Sequence, residues 1–184
     1  MRVFKTIHGE KINLIQHIAD VIQKYPSVTI HVGADSQSRK TITSYAIAVA
    51  FRYDKRGVHY VYTKFKVPKI RDRRERLLKE VYESVEVANW ITSQMDIIVN
   101  VQFGDNDIEE EELERQLNLA LTKEVNIEID IDFNPNAKYF SYDLISEARG
   151  IAEWKGYKVN IKPYNQTAEF ENFACKIADK HARE

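Results

Sequence analysis

The chain has 184 residues, of which 43% are hydrophobic and 30% charged, as expected for one soluble globular domain. Its 27 basic and 28 acidic side chains leave a net charge of −1, which argues against a uniformly basic protein, and its single cysteine excludes an internal disulfide or multi-cysteine zinc site. No apolar run approaches the roughly 20 residues of a membrane span, and the N-terminal residues lack the apolar region of a secretory signal, so we expect a cytoplasmic protein.

The first part of the chain predicts one helix followed by three strands. Residues 11–24 carry isoleucines at helical spacing and end before Pro26. Residues 28–35 predict a short buried strand. Residues 41–54 alternate large with small side chains, which predicts a strand with one closely approached face. Residues 58–68 predict a third strand.

The second part alternates helical and strand patterns. Helices are predicted at 71–94, 108–124, 139–155 and 167–182, and strands at 97–103, 126–136 and 157–163. Three sequential strands followed by this alternation indicate an α/β fold with an antiparallel start and a parallel remainder. We expect a single domain over 1–184, in which residues 97–124 are a candidate acidic insert.

Charge is unevenly distributed along the chain. Residues 64–79 contain eight bases and two acids, whereas residues 105–114 contain seven acids and no base. Such segregation can attract a charged ligand although the total is near zero.

Three acids alternate with apolar residues in the predicted strand 126–136. Glu128, Asp130 and Asp132 should share one face, about 6.6 Å apart. Three carboxylates on one face must be solvated, paired with bases or bound to a hard cation. The sequence leaves open an edge strand with a solvated face.

Two further acids lie at positions that suit a metal ligand. Asp35 follows the first predicted strand, although Asp-Ser is also a common opening of a turn. Glu80 lies on the shoulder of the apolar stripe of helix 71–94. Its alternative interpretation is a boundary glutamate paired with Arg76 or Arg73.

Four segments together resemble a known family. The segments GADSQ, RERLLKEVYESVEVA, EIDIDFNPN with KYFS, and KVNIKP with ACKIADK resemble the ribonuclease-H-like family represented by the bacterial YkuK proteins. The resemblance implies a mixed sheet of five or six strands with helices on both faces. It also implies a nuclease that binds two Mg²⁺ or Mn²⁺ ions through acidic residues, which correspond here to Asp35, Glu80, Asp132 and Asp179.

The chain departs from the family pattern at two places. Asp130 stands where the family has a histidine, which adds a candidate metal ligand. If residues 97–103 form a core strand, Asp105 would replace Asp132. Asp179 lies opposite the expected apolar stripe of its helix, although it borders small residues, and a solvated aspartate is the alternative.

The basic run before Glu80 predicts a phosphate-binding surface. Backbone contacts of this kind position a nucleic acid without reading its sequence. The alternative is a solvated helix face whose bases pair with the chain's own acids. Tyr60 and Tyr62 could stack on bases, but strand tyrosines more often pack. The residues predicted to bind nucleic acid are Lys69, Arg71, Arg73, Arg74, Arg76 and Lys162.

Two functional hypotheses follow. The first is a metal-dependent nuclease that hydrolyses phosphodiester bonds of RNA, DNA or a hybrid by a two-metal mechanism. The second is a non-catalytic module on the same fold that binds nucleic acid or protein. The resemblance leaves a homodimer open, since junction-cleaving enzymes of the superfamily act as dimers.

Overall fold

The computed structural model describes residues 2–53, 57–104, 125–161 and 172–184. Its strands in chain order are β1 (Phe4–Lys5), β2 (Lys11–Ile12), β3 (Thr29–Ser38), β4 (Ile42–Arg52), β5 (Val58–Pro68), β6 (Ile127–Ile131) and β7 (Lys158–Ile161). Its helices are α1 (Leu14–Lys24), α2 (Arg73–Gly104), α3 (Ile145–Glu153) and α4 (Phe173–Arg183), with a 3₁₀ turn at Phe140–Leu144 before α3.

All seven described strands belong to one mixed sheet, in the order β2-β1-β5-β4-β3-β6-β7. Strands β3, β4 and β5 are antiparallel, whereas β6 is parallel to β3 and β7 is parallel to β6. The α/β prediction with an antiparallel start and parallel remainder is therefore confirmed. The expected count of five or six strands is too low, because β1 and β2 have only two residues each and carry no detectable periodicity.

The predicted strand at 97–103 is wrong, because these residues continue α2. A short apolar run fits a buried strand or a helix equally well, and neither proline nor glycine interrupts residues 73–103. The proposal that Asp105 replaces Asp132 loses the core strand on which it depended. Asp105 itself and the predicted helix 108–124 lie outside the described residues.

The N-terminal helix begins at Leu14 rather than at residue 11. The side-chain oxygen of Asn13 accepts hydrogen bonds from the backbone N–H groups of Ile15 and Gln16, at 3.1 and 3.3 Å, and so caps the first turn. Residues 11 and 12 instead form β2. The sequence predicts the start of this helix too early, because the apolar spacing of the helix continues back to Ile12, which belongs to β2.

The two faces of the sheet are packed by different residues. On one face, large aliphatic side chains of the strands pack against α1, α2 and α3. On the other face, α4 lies close to β4, as the alternation of small residues in 41–54 predicted. The contact there consists of Ala46, Ala48 and Ala50 on β4 and Ala174, Ala178 and Ala182 on α4. This close approach brings polar groups of α4 down to the sheet.

Candidate functional site

Asp35 and Asp132 lie where two central parallel strands separate. The register of β3 and β6 pairs Gly33 with Asp130 as its last step. Two residues further on, the same register would set Asp35 opposite Asp132, on the same face as Gly33 and Asp130, because strand side chains alternate. Asp35 is half-buried and Asp132 is exposed. The end of β6 thus leaves Asp132 beside Asp35, which lies within the part of β3 that continues beyond its pairing with β6.

Helix α4 adds Asp179 above Asp35. A Cβ atom at Gly33 would lie 2.8 Å from both the backbone nitrogen and the Sγ of Cys175, so only glycine permits this contact. Asp179 is one helical turn, about 5.4 Å, beyond Cys175. The carboxyl groups of Asp179 and Asp35 share a hydrogen bond.

The expectation that Asp179 lies away from the packed face of its helix is therefore wrong. That expectation took the large residues of α4 as the buried stripe. In the structure the buried face consists mainly of small residues, because the sheet approaches closely, and it includes Ala174, Cys175, Ala178 and Ala182. Asp179 borders this face and is half-buried.

Glu80 reaches the same region from the opposite face of the sheet. Its carboxylate is 6% exposed and accepts a hydrogen bond of 2.5 Å from the hydroxyl of Ser36, the neighbour of Asp35. The guanidinium of Arg76 lies 3.7 Å from Glu80 and donates to the carbonyl and hydroxyl oxygens of Ser36. The pairing with Arg76 that the sequence left open is thus present. We call Asp35, Glu80, Asp132 and Asp179 the carboxylate cluster.

Negative charge in the carboxylate cluster is incompletely compensated. Burial, and then the neighbouring Asp179, raise the pKa of Asp35 to about 7, and Asp132 contributes in the same direction. Burial and the charge of Asp35 raise the pKa of Glu80 well above its usual range, although Ser36 and Arg76 oppose the shift. Burial is the main cause of both shifts, and the charges of neighbouring carboxylates add to it.

The donor chemistry of the cluster fits a hard divalent cation, which prefers several carboxylate oxygens. In the part of the chain that the structure describes, however, no three histidine, cysteine, aspartate or glutamate side chains are already arranged to hold one. Asp179 is held by both Nε and a terminal nitrogen of Arg183, each at 2.7 Å, and Glu80 faces Arg76. Binding a metal would therefore require these two carboxylates to turn from their arginines.

Asp130 belongs to a different group of residues. One of its oxygens lies 3.0 Å from Nδ1 of His31 and 3.1 Å from the amide nitrogen of Asn160, and the other accepts the backbone N–H of Ala174 at 2.9 Å. Asn160 also donates to Glu128 at 2.8 Å, as does Lys158 at 2.9 Å. We call four of these residues the buried network, namely His31, Glu128, Asp130 and Asn160, and the exposed Lys158 lies at its edge.

The buried network satisfies its acids. Burial alone would raise the pKa of Glu128, but hydrogen bonds from Asn160 and Lys158 outweigh it and lower that pKa. Asp130 is only 2% exposed, and its bond to Ala174 caps the first turn of α4. The alternative of a solvated edge strand is wrong, because β6 lies between β3 and β7 with all five residues buried.

The predicted phosphate-binding residues are only partly free. Lys69, Arg71, Arg73 and Arg74 are exposed around the start of α2. Arg74 forms an ion pair with Glu147, so part of the basic run pairs with the chain's own acids. Arg76 is committed to Ser36 and Glu80, as described above. Lys162 lies outside the described residues.

The tyrosines of β5 serve packing. The ring of Tyr62 stacks on His181 with 3.5 Å between the ring centroids, and Tyr60 lies 5.9 Å from the same ring. Histidines that looked scattered in the sequence also meet, since His17 and His59 lie 2.9 Å apart through their Nε2 atoms. His17 lies on α1 and His59 on β5, so only the packing of the helix against the sheet creates this contact, and spacing could not reveal it.

Sequence reasoning missed the residues that hold the carboxylate cluster in place. Gln37 donates to Asp179 at 3.2 Å and lies 3.5 Å from Asp35, bridging β3 and α4. Ser36 and Gln37 belong to the GADSQ segment, which was the available signal. Arg183 could have been found from its spacing of four residues after Asp179 on a helix.

The fold agrees with a comparison against protein families. Residues 13–183 match the family model described as ribonuclease H-like. The chain belongs to the ribonuclease H-like family. Proteins of this fold commonly bind nucleic acid and typically use divalent metal ions.

The other comparisons add no relative. Neither the search of curated proteins nor the search of solved structures found a match. Among the described residues, no helix combines the length and apolar character needed to cross a membrane.

Proposed function

We propose that the chain is a divalent-metal-dependent nuclease that hydrolyses phosphodiester bonds by a two-metal mechanism. The observation that carries the proposal is the convergence of four carboxylates from β3, α2, the end of β6 and α4. Burial, and then the charges of Asp179 and Asp132, raise the pKa of Asp35 to about 7. A cation of charge two would relieve the repulsion among these carboxylates, which the nearby arginines relieve only in part.

In this proposal Asp35, Glu80, Asp132 and Asp179 hold the metal ions. Bound Mg²⁺ or Mn²⁺ would supply activation of water and stabilisation of the leaving oxygen. Asp35, Glu80 and Asp179 extend from one strand and two helices, and Asp132 directly follows β6, which favours a fixed geometry. Asp130 has both oxygens engaged in the buried network, so it supports the position of α4.

The basic residues that remain exposed would hold the nucleic acid. Arg73 is the first residue of α2, which also carries Glu80, and Lys69 and Arg71 lie in the segment just before the helix. Contacts from such residues to phosphates position a strand without reading its bases. The ion pair of Arg74 with Glu147 reduces its availability for this role.

A non-catalytic binding module is the second candidate, and one observation favours it. Asp179 is already bound by two nitrogens of Arg183. A carboxylate satisfied by a guanidinium needs no metal ion, so this pair could hold α4 on the sheet as a purely structural contact.

Titration calorimetry with Mn²⁺, followed by a cleavage assay, separates the two candidates. A nuclease should bind Mn²⁺ and cleave labelled nucleic acid only when Mg²⁺ or Mn²⁺ is present. Both properties should be lost in Asp35→Asn and Asp132→Asn, because each removes one charged ligand. Substrates should include single-stranded, duplex, hybrid and branched forms.

Glu153→Gln provides the matched control. Its carboxylate is exposed on α3 and lies 3.8 Å from Arg149, far in sequence from any member of the carboxylate cluster. It should bind Mn²⁺ and cleave like the parent protein. Mn²⁺ binding that survives Asp35→Asn and Asp132→Asn unchanged would contradict the nuclease proposal and favour the binding module.

A further inference from the structure

Three aromatic side chains are exposed together after β6. Tyr139 is 53% exposed, Phe140 43% and Tyr142 45%. Between them the small polar Ser141 is buried, as is Leu144 at the end of the same 3₁₀ turn. Aromatic rings turned to solvent beside a buried serine reverse the usual preference, and a contiguous exposed patch of this kind marks a binding surface.

Hydrogen bonds hold the segment that carries these rings. The hydroxyl of Ser141 accepts the backbone N–H of Asn134 at 3.0 Å. Side-chain oxygens of Asn134 and Asn136 accept backbone N–H groups two residues further on, each at 3.0 Å. The rings are therefore presented on an ordered turn, which lowers the entropy lost when a ligand binds.

Positive charge accompanies the aromatic patch. The guanidinium carbon of Arg73 lies 5.1 Å from the centre of the Phe140 ring, within cation–π range. Among the described residues, no carboxylate lies within ion-pair distance of Arg73. Lys138, next to Tyr139, is also exposed. A ligand for this surface should combine flat rings with negative charge.

The patch adjoins the carboxylate cluster through two elements. Asn134, which bonds to Ser141, is two residues after Asp132. Arg73 is seven residues before Glu80 on α2, about 10 Å along the helix axis. One ligand strand could therefore contact the rings and the carboxylates together.

We propose that Tyr139, Phe140 and Tyr142 form an aromatic platform on which unpaired bases stack, so that the substrate is a single-stranded nucleic acid. This substrate class rests on the proposed nuclease function. Aromatic rings beside basic side chains are a general means of binding single strands, because every base has a face that can stack. In a duplex the bases already stack on one another, so a duplex cannot use the platform.

Fluorescence anisotropy of labelled oligonucleotides in EDTA tests the platform without any metal. Single strands of RNA and of DNA are compared with the duplexes made from them. We expect single strands to bind more tightly than duplexes, and Phe140→Ala or Tyr139→Ala to weaken single-strand binding about 5- to 150-fold, the range for one stacked base. Duplex binding should not change.

Two controls keep the test specific. Trp154→Ala removes an aromatic ring that is 80% exposed at the end of α3 and should leave binding unchanged. Phe140→Tyr should bind single strands as tightly as the parent protein, because a stacking face remains. The proposal would be overturned if Phe140→Ala or Tyr139→Ala weakened the binding of single strands and duplexes equally. It would also be overturned if neither of these two variants weakened the binding of single strands.

The two proposals can fail separately. Because the binding assay contains no metal, an absence of cleavage would not affect it. If metal-dependent cleavage is found but Phe140→Ala and Tyr139→Ala bind single strands normally, the platform is wrong and the nuclease remains. If wild-type protein binds no single strand in EDTA, the platform is also wrong, whatever the cleavage assay shows.

Discussion

Two groups of acids separated by a few ångströms along β6 differ in how their charge is balanced. In the buried network, Asn160 donates to both Glu128 and Asp130. Lys158 also donates to Glu128, and the backbone N–H of Ala174 donates to Asp130. In the carboxylate cluster, burial and the charges of Asp179 and Asp132 raise the pKa of Asp35 to about 7. The same alternating strand therefore supplies both a structural acid and a candidate metal ligand.

The difference shows that burial, rather than residue type or spacing, separates the two groups of acids along β6. Glu128 and Asp130 are buried among donors, and Asp130 accepts the N–H of Ala174 at the start of α4. Asp132 lies beyond the last residue of β6 and faces other acids. We therefore expect substitutions in the buried network to cost stability and substitutions in the carboxylate cluster to cost metal binding.

The largest effect on stability should come from Asp130→Ala. Removing this carboxylate takes the acceptor from His31 and from the N–H of Ala174 and leaves Asn160 with Glu128 as its carboxylate partner, which should lower the free energy of unfolding by about 3 kcal/mol or more. Urea denaturation measures the change. Asp132→Ala, at an exposed position, should be far milder, and equal losses would show that the two groups do not differ.

Metal binding should separate the groups in the opposite sense. At a Mn²⁺ concentration a hundredfold above its dissociation constant, the free energy of unfolding should rise by about 2.7 kcal/mol. Asp132→Asn should abolish this rise, because it removes a proposed ligand. Asp130→Asn should keep it although its starting stability is lower. Thermal unfolding with and without Mn²⁺ provides the measurement, and a rise retained in Asp132→Asn would remove that residue from the proposed site.

The stability of the metal-free protein should depend on pH through Asp35. Because its pKa in the folded protein, about 7, exceeds the usual 3.8, the folded protein keeps a proton that the unfolded chain releases. The resulting stabilisation is complete below about pH 4 and is lost as the pH rises through 7. This change in the free energy of unfolding should be on the order of 2 kcal/mol and should be absent in Asp35→Asn. Urea denaturation at pH values between about 4 and 7 measures it. If the free energy of unfolding depended on pH identically in the parent protein and in Asp35→Asn, the raised pKa of Asp35 would be contradicted.

The smallest effect should come from Arg183. The guanidinium of Arg183 is exposed to solvent and forms an ion pair with Asp179, so it should compete only weakly with a metal ion for that carboxylate. Arg183→Gln should strengthen Mn²⁺ binding by roughly fivefold or less. Calorimetry beside the Arg149→Gln control, which breaks an exposed pair on α3, shows whether the gain is specific. Weaker Mn²⁺ binding in Arg183→Gln would mean that Arg183 positions Asp179 for the metal.

The sequence predicted most of the sheet but could not predict its edge or the extent of α2. Alternation of large and small residues in β4 was sufficient to predict a closely packed face, because each side chain reports its own environment. The strands β1 and β2 are too short for such a signal. The apolar run at 97–103 was ambiguous, because the pattern does not specify whether the preceding helix ends.

The candidate acids could be named from the sequence, but their hydrogen-bond partners could not. The sequence predicts Asp35, Glu80, Asp132 and Asp179 as metal ligands, and in the structure burial and the charges of Asp35 and Asp132 raise the pKa of Glu80. Asp130 shares its face with Asp132 and so seemed equivalent. What distinguishes them is the position of α4 and Asn160, which depends on contacts between residues distant in the chain.

Because α4 packs closely on Gly33, the reactivity of Cys175 measures how firmly this helix is held on the sheet. Its thiol donates to the carbonyl of Asp130 at 3.0 Å, and burial, together with the surrounding acids, raises the pKa of Cys175 well above its usual value. Alkylating reagents require an accessible thiolate, so they can react only after α4 lifts from the sheet. Since this cysteine is the only one in the chain, its rate of modification records how often the helix that carries Asp179 detaches.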